Sequence, residues 1–323
     1  MTGNRFDFLE LDTGTQRQAT TPRVGPAAQV RRRRQVELRV IEIIGAFGVR
    51  PGEFNSPSGL ALDRQGNLYV ADALNHRVQR ITPTGEVTVL GEPGRRMGQL
   101  MCPKAVALDY AGYLYVVEQG NCRVQKFDWH GEWVSGFGAQ GSSPGQLNNP
   151  SGVGVDDFHN LYIADAGNRR VQVFTAEGRH LYTIPRSRKG AGQVELGRPS
   201  GVAVQAREGL VYIADTGASQ VYRCDREGSL LGSYGRPGPG PGELCEPWAV
   251  ALDREGNVWV TEVGNNRLQC FRPDGSLEAA FTTQRGLPGR IMGPAGVVVD
   301  ERQGEVYLAD TLNHRVLRIA VGA

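Results

Sequence analysis

One pattern is repeated six times along this chain. A proline opens each copy, at Pro57, Pro103, Pro150, Pro199, Pro247 and Pro294, and an acid follows at Asp72, Glu118, Asp165, Asp215, Glu262 and Asp310, at a spacing of roughly 47 residues. A unit of that length cannot bury both of its faces alone, so the copies must stack on one another. The third copy, residues 147–184, shows what is stacked. It holds four short apolar segments, 153–155, 161–164, 171–174 and 180–184, separated by polar breaks at Asp156-Asp157, Asp165 to Arg169 and Ala176-Glu177-Gly178. These runs are too short for helices and rich in β-branched and aromatic residues, which makes each copy an antiparallel four-stranded meander. Six meanders around one axis form an all-β, six-bladed β-propeller.

The sixth copy stops three strands in, at residues 314–323. Near the other end, Val40-Ile41-Glu42-Ile43-Ile44-Gly45-Ala46-Phe47-Gly48 matches the outer-strand endings at 133–138 and 229–235. The N-terminal strand is therefore expected to complete the last blade and remove the free edges of an open ring. Residues 39–323 are assigned to the propeller. Residues 1–38 lack periodicity, are rich in Thr, Gln, Arg and Pro, and are expected to form a disordered basic tail. Within it, Phe6, Phe8, Leu9 and Leu11 alternate with acids as a docking peptide would, while Arg31 to Arg34 read as a solvated cluster or a basic contact.

Three strings recur: Pro-x-Gly-Val-Ala-Val-Asp, Asn-Leu-Tyr-Val-Ala-Asp and Asn-x-Arg-Val-Gln. With Asn75-His76-Arg77-Val78-Gln79 and Asn313-His314-Arg315-Val316-Leu317, the chain from about Arg39 to its end resembles the NHL repeat. The resemblance implies the propeller fold. It leaves function open, because the family includes members that bind single-stranded RNA through a basic face and a zinc-dependent peptidyl-amidating lyase with histidine ligands at its channel.

Five scattered cysteines without a Cys-x-x-Cys pair suggest neither a disulfide framework nor a thiolate zinc site, and fit a reducing, cytoplasmic setting. No signal-like or membrane-spanning apolar run occurs, so no membrane insertion is expected. Residues 1–40 carry eight arginines against four acids; without them the totals of 36 and 34 fall to 28 basic and 30 acidic, so bulk charge does not make the propeller a polyanion binder. Only five histidines are present. His76 and His314 occupy equivalent loops of neighbouring copies, but His130, His159 and His180 fall on turns or an outer strand, so no third metal ligand is evident. With no phosphate loop or nucleophile elbow either, the chain reads as a non-enzyme without a metal or cofactor.

In a meander, the loop after the second strand and the linker after the fourth emerge on one face; the other two turns emerge opposite. The acid with an arginine five residues later (Asp72/Arg77, Glu118/Arg123, Asp165/Arg170, Glu262/Arg267, Asp310/Arg315) lies on that linker face and reads as a structural pair. Copy four departs, with Ala218 and Gln220 after Asp215, and its loop is expected to be looser, either as a drifted repeat or as an opening of the face beside Arg198 for a partner. Copies two and five depart together: each has Glu for Asp, a Cys before the Pro, and Lys104 or Trp248 where the others have Ser or Ala. Across a six-fold ring, Lys104 and Trp248 should oppose each other at the channel mouth as a recognition pair. Linkers add Arg95, Arg96, Arg186, Arg188, Lys189, Arg285 and Arg290 to the same face. The expected function is a protein-binding scaffold. Single-stranded RNA is the alternative partner, though few aromatics accompany these cations for stacking, and a metal-dependent lyase is a more distant reading.

Overall fold

The computed structural model describes residues 36–185, 194–205, 207–284 and 286–322. The Phe6 to Leu11 and Arg31 to Arg34 clusters, and Arg186, Arg188, Lys189 and Arg285, lie outside them. Six antiparallel sheets of four strands each succeed one another in chain order. Their first strands, Pro57–Leu62, Pro103–Leu108, Pro150–Val155, Pro199–Gln205, Pro247–Leu252 and Gly296–Asp300, stand side by side around a central channel, the last against the first. They approach very closely. A methyl group placed on Gly296 would lie 2.0 Å from the Ser58 carbonyl oxygen, and one on Gly152 would lie 2.4 Å from that of Ser200. At Gly59, Gly152, Gly201 and Gly296 the glycine of the repeat is therefore a packing requirement and not a turn residue, while blades two and five accommodate Ala105 and Ala249 at this position.

The second strand of every blade, such as Leu68–Asp72 or Leu161–Asp165, is buried along nearly its whole length, because sheets cover both of its faces. Six apolar cores result, one in each seam between neighbouring blades. Each linker contributes a plug to its seam. Phe54, Leu100, Leu147, Leu196, Leu244 and Ile291, all three residues before the repeat's proline, are buried there.

The last blade is composite. Glu37–Ile44 pairs antiparallel with Arg315–Gly322, in a register running from Glu37 opposite Gly322 to Ile44 opposite Val316, with a bulge between Val40 and Glu42. The ladder starts at Glu37, two residues inside the stretch whose composition resembles a tail. Leu38 and Val40 pack on the blade five–six core, and the Val40 amide donates to Gln284 Oε1 at 2.6 Å. Arg318 ties the strand further, donating to Glu42 and Glu305. The closure expected from the truncated sixth copy is thus the one observed.

A chain beginning at Gly45 loses this ladder and exposes an edge strand, whereas one beginning at Gln35 keeps the ladder and leaves that edge covered. The former is expected to melt on the order of 10 °C lower or to be insoluble; equal melting temperatures of the two truncations would contradict the closing role of the strand.

Candidate binding face

The linker face is held by a polar network that begins at the acid ending each second strand. In blade one, Asp72 is fully buried. It accepts hydrogen bonds from Arg77 Nε (2.8 Å), Asn75 Nδ2 (2.9 Å), Gln79 Nε2 (3.1 Å) and the Asn55 amide (2.7 Å). The guanidinium then reaches back to the incoming linker, donating to the carbonyls of Val49, Arg50 and Glu53. Gln79 closes the circuit, donating to Glu53 O and accepting from Gly52 N. The arrangement recurs around Glu118, Arg123 and Gln125, around Asp165, Arg170 and Gln172, and around Glu262, Arg267 and Gln269. The acid–arginine pairs are therefore consumed internally, as their spacing suggests. The sequence reading missed the buried glutamine, whose only signal was its recurrence in the Arg-x-Gln string.

Blade four satisfies its acid differently. Asp215 accepts from the amides of Gly197, Arg198, Gly217 and Ala218, at 2.6–3.1 Å. Backbone donors replace the missing Asn and Arg, so the loop is closed rather than loose.

The residue after the network's Asn is left-handed in every blade: His76, Cys122, Arg169, Ser219, Asn266 and His314, with φ of 50–56°. Five of these side chains bridge to the next blade. His76 Nδ1 accepts from Cys102 N and His314 Nδ1 from Ser56 N, each at 3.0 Å. Arg169 donates to Leu196 O, Asn266 accepts from Gly293 N, and Ser219 accepts from Glu246 N. Both histidines are seam residues. Cys122 instead turns its thiol to Gln119 O within its own blade.

Lys104 and Trp248 sit in bulges at the start of their strands, and both line one narrow lumen of about 70 Å³ between the six first strands. Their neighbours explain what they displace. Ser58, Ser151 and Ser200 donate across their seams to Lys104 O, Pro199 O and Pro247 O, and Thr311 does so to Pro57 O. Lys104 and Trp248 carry no hydroxyl and make no such bond, so the two opposite seams, two–three and five–six, lack it among the described residues. Lys104 has no ion-pair partner there either, and the Arg198 guanidinium lies 6.0 Å from the Trp248 ring. Arg95, Arg96 and Arg290 are exposed and have no carboxylate partner among the described residues, while their own carbonyls anchor Arg123 and Asn313.

The opposite end of the channel opens into a wider cavity of about 850 Å³, lined by Asp63, Asp109, Asp156 and Asp300. Each of these carboxylates accepts from turn amides. An inter-blade belt runs along the rim from blade six to blade three: Arg302 to Arg64 O, Arg64 over Tyr110, and Tyr110 to Asp157. Its groups are already engaged.

Fold and network together define a six-bladed propeller whose linkers are clamped onto the following hairpins. The chain is an NHL-repeat propeller: the profile described as NHL repeat matches residues 54–81, 147–174, 244–271 and 292–319. It is similar to E3 ubiquitin-protein ligase TRIM71 of Rattus norvegicus, 49% identical over 45 residues, which are 14% of this chain and 5% of that protein. It is 30% identical over 131 residues to the peptidyl-alpha-hydroxyglycine alpha-amidating lyase pgal-1 of Caenorhabditis elegans, covering 38% of this chain and 37% of that one. The solved streptogramin B lyase superposes with a TM-score of 0.61 over 89% of this chain and 98% of its own, at 12% identity, a likeness of fold alone. Among the described residues, no helix is long and apolar enough to cross a membrane.

Two outcomes follow from the network and the packing. Replacing Arg123 by Met leaves Glu118 buried and underpaired, and urea denaturation should show a loss of about 3 kcal/mol; loss within error of wild type would mean the clamp is dispensable. Burial pushes the Cys224 thiol up to about 12 and raises Cys270 as well, whereas Cys102 and Cys245 are only half-buried. A maleimide should therefore label Cys102 and Cys245 first in the native protein, and the other three only on unfolding.

Proposed function

We propose that this propeller is a non-enzymatic scaffold, acting in the cytoplasm, that docks a protein partner on its linker face. One observation carries the reading: the polar groups that a catalytic site would need are engaged in clamping linkers and seams, while the side chains left over on this face are recognition types. Lys104, on the channel wall, has no ion-pair partner among the described residues, and Trp248, with the Arg198 guanidinium 6.0 Å from its ring, is an anchor of the kind that dominates protein interfaces. Five free cysteines fit a reducing compartment. His76 and His314 each direct one ring nitrogen to a neighbouring blade, which argues against their use as paired metal ligands.

Single-stranded RNA is the second reading, favoured by the unpaired Arg95, Arg96 and Arg290. If four to six of the linker cations contact phosphates, affinity falls with log salt at a slope of roughly −3 to −4. Affinity purification with and without nuclease separates the two. On the protein reading, the partner is retained after nuclease, and Lys104→Ala or Trp248→Ala weakens it by about 2 kcal/mol. Partner binding unchanged in both variants would reject these residues as anchors, and a partner lost with nuclease would reject the protein reading.

A further inference from the structure

The six-fold pattern provides an internal standard, and one sector of the linker face departs from it. The second residue after the network acid is glycine in blades two to five: Gly120, Gly167, Gly217 and Gly264. A methyl there would lie 2.4–2.8 Å from Met101, Asn148, the Arg198 amide or Cys245 Sγ, respectively. Blades six and one, which are adjacent, carry Leu312 and Leu74 instead, and these side chains are 57% and 51% exposed. The linker between those blades departs as well. Phe47 and Val49, 67% and 71% exposed, stand where the next linker has Pro93 and Arg95 and the one after it has Gln140 and Ser142.

The segments that carry these side chains are tied to one another. Phe47 packs on the His314 ring at 4.8 Å, His314 accepts from Ser56 N, and Asn75 Nδ2 donates to Gly48 O at 2.8 Å. Leu312 N donates to the carbonyl of Met292, itself 47% exposed. Met292, Leu312, Phe47, Val49 and Leu74 thus place exposed apolar side chains on both sides of the seam. Exposed arginines without a carboxylate partner among the described residues lie on the adjoining linkers: Arg290 two residues before Met292, and Arg95 and Arg96 on the linker into blade two.

We propose that this sector docks a short segment of a partner protein, apolar in its middle and acidic at both ends. The proposal rests on the scaffold reading and names where the partner sits and what it carries. Exposed apolar side chains with cations on the adjoining linkers favour a complementary amphipathic peptide. RNA fits poorly, since four of the five side chains have no ring on which a base could stack. A symmetric second copy fits poorly too, because it would bring the same arginines together.

The test pans a displayed library of random peptides on the full chain and measures the affinity of those selected. Peptides with an apolar core between Asp or Glu residues should be enriched over an unrelated propeller. Leu74→Gly with Leu312→Gly, which restores the residue that blades two to five carry, should weaken their binding about tenfold or more. Arg95→Glu with Arg96→Glu should weaken it severalfold, and added salt should act in the same direction. Binding insensitive to the leucine pair but lost in Lys104→Ala or Trp248→Ala would overturn the sector and leave the scaffold reading standing. Peptides responding only to Trp129→Ala, on the opposite face, would overturn both. No enrichment over the control, or a concentration-dependent dimer abolished by the leucine pair, would overturn this proposal.

Discussion

The structure depends on a carboxylate buried at the end of each second strand. A charge placed there without partners would be strongly destabilising, so the chain surrounds it with a guanidinium, amide side chains and backbone amides. Those partners come from two stretches far apart in sequence. Asp72, for example, is served by the hairpin that follows it and by the linker that precedes its blade. Satisfying one charge therefore fixes where the linker runs, and the linker in turn drops Phe54 or its counterpart into the seam. Polar satisfaction and apolar packing are one construction here.

Much of this was legible in the residues. The recurrence of proline and acid, with turn residues between short β-rich runs, specified six blades, and the missing strand of the last copy specified how they close. The acid–arginine spacing was correctly read as structural because both residues flank one loop. What the pattern concealed were contacts between copies. The glutamine in the Arg-x-Gln string looks like an ordinary solvent-facing strand residue, yet it is buried and spans to the preceding linker. Likewise, nothing in Asp215-Thr216-Gly217-Ala218 announces that four amides will converge on one carboxylate. Backbone donors have no letter in a sequence.

Candidate binding residues were harder to read than fold residues for a related reason. Lys104 and Trp248 stood out as departures from a shared slot, and the structure shows what that slot does elsewhere: a hydroxyl crosses to the next blade. Leu74 and Leu312 depart from a shared slot too, but leucine in a β-rich repeat draws no attention until its exposure is known. The seam between blades two and three shows the same effect in reverse. Lys104 removes its hydroxyl link and Cys122 its left-handed bridge, so on the linker face this seam relies on apolar packing, while on the turn face Tyr110 still reaches Asp157.

The composite last blade also bears on how the chain comes into being. During synthesis, Glu37–Ile44 emerges long before its only ladder partner, Arg315–Gly322, has been made. Until Arg315–Gly322 has left the ribosome, this strand has an unsatisfied edge and alternately apolar side chains to hide, and the five completed sheets form an arc, not a ring. Ring closure is thus set by the order in which the two halves of one blade are made. Interrupting translation before Arg315 would cost the molecule its closure and not merely one strand.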